Sequence, residues 1–264
     1  MKTILAIIGT PTGDKGYTTK SVKALEKALA KQATITVDYL YLGEAKLSGC
    51  QGFLTCVKHG EQECPYSASV QPILDRMESA DAVIFASPVH IFNVSSLMKT
   101  LFDLLVFQMH RPSFFGKPAA VVTAGAGAGM GDVLKYMRKT VANWGFEVSA
   151  KLGVHGGLFD DPRYAPKLDR ATAQVAARLL DRIDNPRRRK PGVADLINFR
   201  VWRSVIKRTT NASPYDWNYW QQAGWLEQDY YYETSVNPVS NMLASLIEKL
   251  IDRAIRNAGV KPLT

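Results

Sequence analysis

Short apolar runs alternate with amphipathic stretches over about the first 180 residues of the chain. The runs have the length of buried strands, and the stretches after them repeat apolar residues every three to four positions, as helices packed on a sheet do. The pattern predicts strands at residues 3–8, 34–40, 82–86, 119–123 and 147–154, and helices at residues 18–31, 67–79, 95–109, 132–143 and 165–182. We therefore predict an α/β fold with a doubly wound, five-stranded parallel sheet.

The character of the sequence changes near residue 185. Residues 185–192 are rich in proline and arginine and cannot supply a core. A basic helix predicted at residues 195–208 and a last helix at residues 238–257 flank an aromatic tract that includes Trp217, Trp220 and Trp225. We predict one α/β domain at residues 1–185 and a basic, aromatic-rich and mainly helical extension at residues 186–264.

Composition and cysteine usage indicate the compartment. The chain has 264 residues, 46% of them hydrophobic, which is enough for one substantial core. Apolar runs are too short to span a membrane, and the apolar N-terminus leads into a glycine loop without a cleavage site for a secretory signal. Three cysteines without such a signal argue against a disulfide scaffold. We expect a cytoplasmic protein.

Positive charge is concentrated in one segment. The chain carries a net charge of +9, of which +7 falls within residues 187–208. A basic helix with aromatic neighbours could bind a membrane surface or a nucleic acid, or its aromatic face could pack the extension onto the α/β core or a second subunit while its basic face stays in water. We favour packing and a homodimer, take peripheral membrane contact through residues 187–208 as the next interpretation, and expect no nucleic-acid partner because no nucleic-acid module is recognisable.

Three of the predicted strands lead directly into loops that precede helical patterns, and the first and third of these loops are rich in glycine. The loops are residues 9–18, 87–93 and 123–131. Because the carboxyl ends of parallel strands meet at one edge of a sheet, the loops gather there. The first loop precedes a predicted helix, whose N-terminal amides favour an anion such as a phosphate. This loop has neither the Gly-Lys-Ser/Thr ending of a P-loop nor the Gly-x-Gly-x-x-Gly spacing of a dinucleotide site.

The loops resemble those of the NAD(P)H-dependent FMN reductase and iron-sulfur flavoprotein family, which has the flavodoxin-like fold. Gly9-Thr10-Pro11-Thr12 and Gly16-Tyr17-Thr18 are similar to its Gly-Ser-Pro-Arg and Gly-Asn-Thr segments. Ser87-Pro88-Val89-His90 is similar to its Ser-Pro-Val-Tyr segment, and a Met-Lys pair and a Phe-Asp pair follow at residues 98–99 and 102–103. The resemblance covers about residues 1–180.

This resemblance implies a flavin site. It implies FMN as cofactor and NADPH or NADH as donor, with the FMN phosphate on the first loop and the isoalloxazine ring between the other two. The implied cofactor-binding residues are Thr10, Thr12, Gly16, Tyr17, Thr18, Pro88, Val89, His90, Ile91, Phe92, Asn93, Thr123, Gly125 and Gly127.

Two of these residues depart from the family pattern. Tyr17 stands in place of Asn, so only its backbone amide can serve the phosphate, and His90 stands in place of Tyr. We interpret His90 as a flavin contact, with an ordinary exposed loop histidine as the alternative. A role for His90 as proton donor is a weaker hypothesis, because imidazole titrates near neutrality. The flavin would carry the reaction, so no other catalytic side chain is assigned.

The cysteine loop resembles the cluster-binding loop of that family but lacks a ligand. Cys50, Cys56 and Cys64 match three of its four cysteines, and Phe53 stands where the remaining one should be. A cubane cluster needs four thiolates, so we predict no metal site. Two alternatives remain for the three cysteines. They are small hydrophobic residues packed beside the flavin or at a dimer contact, or they have a thiol–disulfide role.

The leading functional hypothesis is an FMN-dependent oxidoreductase. It would take electrons from NADPH or NADH and pass them to a small acceptor, such as a quinone, a flavin, or an azo or nitro compound. The alternative is a flavodoxin-type electron-transfer protein that serves a protein or membrane-bound partner without using NAD(P)H. A third interpretation is a flavin-free scaffold that binds anionic surfaces.

Overall fold

A computed structural model describes residues 1–209 and 212–257, with side chains described up to residue 254. Within those residues, no helix is both long enough and apolar enough to cross a membrane. In chain order the strands and α-helices are β1 (Lys2–Ile8), α1 (Tyr17–Ala30), β2 (Ile35–Tyr41), α2 (Thr55–Lys58), α3 (Ser67–Ser79), β3 (Ala82–Pro88), α4 (Ser96–Leu104), β4 (Pro118–Gly125), α5 (Met130–Asn143), β5 (Glu147–His155), α6 (Ala165–Asp184), α7 (Val193–Arg208), α8 (Pro214–Gln222) and α9 (Pro238–Asn257).

The contacts divide the chain into two compact units. The first unit comprises Met1–Gln51 and Tyr66–Arg188, and the second comprises Gly52–Pro65 and Arg189–Thr264. No pattern in the sequence indicates that residues 52–65 group with the C-terminal segment. The domain boundary after residue 185 stays a prediction.

The first unit is built on a five-stranded sheet in the order β2-β1-β3-β4-β5, with all neighbouring strands parallel. Consecutive residues of β1, from Ile4 to Ile8, are almost completely buried. Because successive side chains of a strand point to opposite faces, both faces of the sheet are covered. The predicted doubly wound, flavodoxin-like α/β fold is confirmed.

Two separate cores flank this sheet. On one face, the aliphatic side chains of β1 pack with Val22, Leu25 and Leu29 of α1 and with α6. An aromatic cluster forms around Phe85 of β3, whose ring centroid lies 5.5 Å from that of Phe146 and 6.2 Å from that of Trp144. Aromatic pairs at such distances add to the free energy of apolar burial. Together the cores fix the strand ends from which the loops begin.

The helix after β3 is shorter than predicted. It begins where expected, because the Ser95 hydroxyl accepts a hydrogen bond from the Met98 amide at 3.2 Å, as an N-cap does. It ends at Leu104, and a 3-10 turn at Val106–Met109 replaces its predicted last turn. Residues 41–65, to which the sequence pattern assigns no helix or strand, contain the short elements α2 and a 3-10 turn at Glu61–Glu63.

The second unit has an aromatic core of its own. The rings of Phe199 and Trp220 stack with centroids 5.5 Å apart, and those of Trp225 and Tyr231 lie 4.8 Å apart. Phe199 and Trp220 are completely buried. In the N-terminal segment of this unit, α2 contacts α8, and the Gln62 amide donates a hydrogen bond to the Tyr215 hydroxyl at 3.4 Å.

Two of the four cations on the basic side of α7 do not face water, which corrects the sequence-based expectation, whereas Lys207 and Arg208 are exposed as expected. Arg200 and Arg203 are buried, and both guanidinium groups contact the Glu248 carboxylate of α9, at 3.0 and 2.7 Å. Arg200 also contacts Asp229 at 2.6 Å. A buried cation requires a partner of opposite charge, and these partners neutralise the arginines. Residues 187–208 therefore present much less positive charge than their sequence suggests.

His110 makes the stability of the first unit sensitive to pH. Burial, aided by the charge of Arg111, lowers the pKa of His110 from 6.5 to about 4. Between these values the unfolded chain binds a proton that the folded chain does not, so the free energy of unfolding falls as the pH drops below 6.5. In urea titrations we expect this loss to reach up to about 1.4 kcal/mol per pH unit and to be largely removed in His110→Gln.

The exposed His59 provides the control for this prediction. The same measurement on His59→Gln, which removes an exposed histidine, checks that the change seen in His110→Gln comes from the buried site and not from loss of a histidine as such. Equal slopes for the unmodified protein and for His110→Gln would contradict the assignment.

Candidate functional site

A cleft of about 530 Å³ opens at the carboxyl edge of the sheet. This is where parallel α/β sheets bind ligands, and the volume lies in the range of small-molecule sites. The lining residues come from the loops after β1, β3, β4 and β5. They are Thr10, Pro11, Thr12, Lys15, Gly16, Tyr17, Thr18, Pro88, Val89, His90, Ala124, Gly125, Ala126, Gly156 and Gly157.

The N-terminus of α1 forms one wall of the cleft. Its N-cap is Gly16, and no side chain caps the helix there. The first amides of a helix have no partner within the helix, so those of α1 point their hydrogens toward the cleft with the positive end of the helix dipole. A Cβ atom at Gly16 would lie 2.1 Å from the Thr12 hydroxyl oxygen, so a side chain at position 16 would displace the Thr12 hydroxyl from its present place.

Threonine hydroxyls surround the same helix end. The hydroxyls of Thr10 and Thr12 lie 2.9 Å apart, and Thr10 is almost completely buried. Thr19 is occupied elsewhere, because its hydroxyl donates to the Gly13 carbonyl at 2.6 Å. Thr18 is nearly buried, and no described residue hydrogen-bonds its hydroxyl. The side chains of Thr10, Thr12 and Thr18 are thus available to an anion in the cleft, and the exposed Lys15 adds a positive charge.

A tight turn after β3 forms the opposite rim. The His90 amide donates to the Asn93 carbonyl at 2.8 Å, and the Asn93 amide donates to the His90 carbonyl at 3.0 Å. The two central residues, Ile91 and Phe92, have φ angles of 46° and 59°. A turn with two positive φ angles normally holds Asn and Gly, and a β-branched residue there is strained. Ile91 and Phe92 are nevertheless exposed, at 93% and 63%.

The loop after β4 supports this turn. The Val89 amide donates to the Ala124 carbonyl at 3.1 Å. Phe92 lies so close to Gly129 that a Cβ atom at Gly129 would be 3.1 Å from the Phe92 Cα atom. This contact holds the strained turn against the glycine-rich loop.

Thr123 has a different place from the one implied by the family resemblance. It is completely buried, and its hydroxyl donates to the Ser87 carbonyl at 2.8 Å. Thr123 therefore joins β3 to β4 beneath the cleft and does not line it.

The structure brings most of the implied site residues to the cleft. Those in the lining are Thr10, Thr12, Gly16, Tyr17, Thr18, Pro88, Val89, His90 and Gly125. Ile91, Phe92, Asn93 and Gly127 are exposed in the adjoining loops, outside the lining.

Sequence reasoning did not select Lys15, Gly156 and Gly157, which also line the cleft. Lys15 lies within the first loop, where only hydroxyl and glycine residues were considered. The pair Gly156 and Gly157 follows β5, and the pattern that marks the first and third loops, a buried strand followed by glycine, also marks this one.

The chemical groups on the wall formed by the N-terminus of α1 suit an FMN phosphate. A dianion requires several hydrogen-bond donors and a favourable potential, which the open helix end, the hydroxyl groups and Lys15 supply. An iron-sulfur cluster does not fit this chain, because the chain has three cysteines. In the described part of the chain, no three His, Cys, Asp or Glu side chains are grouped so that they could hold a metal ion.

Comparison with known proteins gives a family match. The family model described as "NADPH-dependent FMN reductase" matches residues 2–155. An iron-sulfur flavoprotein of Archaeoglobus fulgidus is 27% identical over 223 residues, which are 84% of this chain and 99% of that protein. An iron-sulfur flavoprotein of Clostridioides difficile is 25% identical over 206 residues, which are 77% of this chain and 89% of that protein.

Solved structures share the fold. An FMN-dependent NADH-azoreductase from Bacillus anthracis, in complex with FMN, superposes with a TM-score of 0.53 at 16% identity, covering 68% of this chain and 99% of that chain. RosB, solved with bound 8-demethyl-8-formylriboflavin-5'-phosphate, superposes with a TM-score of 0.54 at 15% identity, covering 90% of this chain and 92% of that chain. At these identities the likeness is one of fold.

The strained turn predicts a stabilised variant. Replacing Ile91 by Asn and Phe92 by Gly supplies residues that adopt positive φ angles readily, so we expect the double variant to raise the free energy of unfolding by about 1–2 kcal/mol. Urea denaturation of the cofactor-free protein measures this change.

Val106 provides the matched control, because it is also an exposed apolar residue but has no positive φ angle. Val106→Asn should give no gain in stability. A turn variant that is no more stable than the unmodified protein would show that residues 91 and 92 store no strain.

Proposed function

Because the chain belongs to the NADPH-dependent FMN reductase family, a family of oxidoreductases, we propose that it binds FMN in the cleft and reduces a small acceptor with electrons from NADPH or NADH. The observation that carries the proposal is the open N-terminus of α1. Its uncapped amides, the partly free threonine hydroxyls and Lys15 converge on one end of the cleft. Neutral donors at a helix end bind a phosphate without a metal.

The residues at that end have distinct roles in the proposal. The backbone amides of Tyr17 and Thr18 donate to the phosphate oxygens, so the Tyr17 side chain is not needed for this contact. The hydroxyls of Thr10 and Thr18 supply further donors from buried positions, and Lys15 supplies a full positive charge from the solvent side. Hydrogen bonds to a charged group are stronger than those between neutral groups, so each donor contributes substantially.

The rest of the cleft suits a flat ring. Pro88, Val89 and His90 provide one edge, and Gly125 and Ala126 provide a side without bulky groups. When bound, FMN supplies the hydride and electron chemistry, and the protein binds and orients it. His90 is exposed at the mouth of the cleft, where it can hydrogen-bond the ring edge or an incoming acceptor.

The strained turn gives the mouth an apolar surface. Ile91 and Phe92 project into solvent beside His90, and residues held in unfavourable backbone conformations cluster at functional sites. A planar acceptor could pack against them. We therefore propose quinones, free flavins, azo compounds and nitro compounds as the acceptor class. The homodimer, the cytoplasmic location and the choice between NADPH and NADH stay predictions.

Anaerobic mixing with NADPH or NADH tests the activity. If the chain is a reductase, the visible absorption of its FMN should disappear within seconds and return when a quinone is added. Reduction by dithionite alone would favour the flavodoxin-type electron carrier, and a protein that stays colourless when reconstituted with FMN would contradict both.

Thr18→Val tests the phosphate site itself. The variant keeps the shape of the side chain and the backbone amide but removes one hydroxyl donor, so we expect FMN to bind about ten-fold to one hundred-fold more weakly. Quenching of FMN fluorescence by the cofactor-free protein measures the affinity.

Two controls accompany this measurement. Thr18→Ser restores the hydroxyl and should recover most of the affinity. Thr34→Val removes a hydroxyl at an exposed position before β2, at the opposite edge of the sheet, and should bind FMN normally. Unchanged binding in Thr18→Val would count against the assigned phosphate position.

A further inference from the structure

The last helix, α9, is attached to α7 through its polar residues. The Glu248 carboxylate contacts Arg200 and Arg203, at 3.0 and 2.7 Å, and the Asn241 side chain accepts a hydrogen bond from Arg200 at 2.6 Å. Asp252 contacts Arg208 at 3.2 Å. The same side of α9 holds Ala244, which is completely buried. Both carboxylates of α9 are therefore used inside the second unit.

The opposite side of α9 is an exposed apolar stripe. Its members are spaced three to four residues apart, which places them on one face of a helix. Their side chains are 42–65% exposed, whereas large apolar residues that remain on a soluble surface are usually scattered singly. The stripe consists of Val239, Met242, Leu243, Leu246 and Leu250.

The charges beside the stripe are positive. Lys249 follows Leu246 by three residues and Arg253 follows Leu250 by three, so each lies on the helix surface next to a leucine. Both side chains are exposed. Because Glu248 and Asp252 are already paired with arginines of α7, no carboxylate of α9 offsets these two charges. Among the described residues neither Lys249 nor Arg253 forms an ion pair, so this surface of α9 combines leucines with two exposed cations.

A second copy of the chain is a poor match to this surface. Among the side chains described, up to residue 254, the stripe extends from residue 239 to residue 250, which is less than two heptads, whereas about three to four sustained heptads indicate a coiled coil. A parallel second copy would also place its own Lys249 and Arg253 against the same residues. An anionic bilayer supplies both an apolar environment for the leucines and negative charge for the cations.

We infer that α9 docks the protein on an anionic phospholipid bilayer. The helix lies parallel to the surface, with Leu246 and Leu250 at the level where headgroups meet acyl chains and with Lys249 and Arg253 among the lipid phosphates. This surface differs from residues 187–208, whose buried arginines are neutralised within the protein. The inference does not depend on FMN binding or on reductase activity.

Flotation with vesicles tests the inference on the full-length protein. We expect the protein to float with vesicles that contain phosphatidylcholine and phosphatidylglycerol, and to float much less with phosphatidylcholine alone. Leu246→Glu/Leu250→Glu should reduce binding to the mixed vesicles by at least about ten-fold, because each buried leucine contributes more than a ten-fold factor. Lys249→Glu/Arg253→Glu should remove the preference for the anionic lipid.

A control variant separates the stripe from net charge. Gln221→Glu/Gln222→Glu adds the same two negative charges at exposed positions of α8 and should bind the mixed vesicles nearly as well as the unmodified protein. The substituted leucines are exposed, so the fold should persist, and circular dichroism with thermal unfolding checks this for every variant.

Three results would overturn the inference. They are failure of the unmodified protein to float with mixed vesicles, equal loss of binding in the leucine variant and in the glutamine variant, and a dimer in light scattering that the leucine substitutions dissociate. The last result would show that a second copy covers the stripe. FMN binding and NADPH-dependent reduction should be normal in all these variants, so a failure here is distinguishable from a failure of the proposed reductase activity.

Discussion

Two buried hydrogen bonds hold the loops of the cleft in place. The Ser95 hydroxyl donates to the Gly9 carbonyl at 2.5 Å and joins the end of β1 to the start of α4. The Thr123 hydroxyl donates to the Ser87 carbonyl at 2.8 Å and joins β3 to β4. Because a hydrogen bond in a low-dielectric interior is strong, and because an unpaired buried group is costly, these contacts fix the relative positions of three loops. The phosphate end and the ring end of the cleft therefore exist before any ligand arrives.

Sequence reasoning predicted the sheet well because parallel strands carry their own signal. Residues 82–86 and 119–122 are continuous apolar runs, as strands buried on both faces require. It also identified the loops, because Ser87 and Pro88 end the first of these runs and a glycine-rich segment follows the second. It misplaced Thr123, since a hydroxyl at a strand end can point into a cleft or into the sheet, and only the pairing of β3 with β4 decides between them. Nothing in the local sequence indicates the positive φ angles of Ile91 and Phe92.

The second unit shows a different limit of sequence reasoning. Arg200 and Arg203 have the helical spacing of a solvated basic face. They are neutralised by Asp229 and Glu248, which lie 29 and 48 residues after Arg200 in the chain. A local charge count cannot detect a partner so distant in sequence. The aromatic tract was easier to interpret, because large rings such as those of Trp220 and Trp225 lose most by remaining in water. Trp220 and Trp225 are indeed buried, but they pack with other rings of the second unit, and packing onto the α/β core or a second subunit stays a prediction.

The ion pairs between α7 and α9 also explain why the apolar side of α9 faces outward. Glu248 and Asp252 reach the arginines of α7 only when the side of α9 that carries them faces α7. The leucines lie on the opposite side of the helix and therefore face outward. Burying charges is costly, and paired charges offset this cost only in part. The exposed stripe leaves apolar surface in contact with water, which costs about 25 cal/mol of free energy for each Å². Covering the stripe with hydrocarbon removes this second cost and leaves the ion pairs intact, so α9 can associate with a surface and dissociate from it while the second unit stays folded.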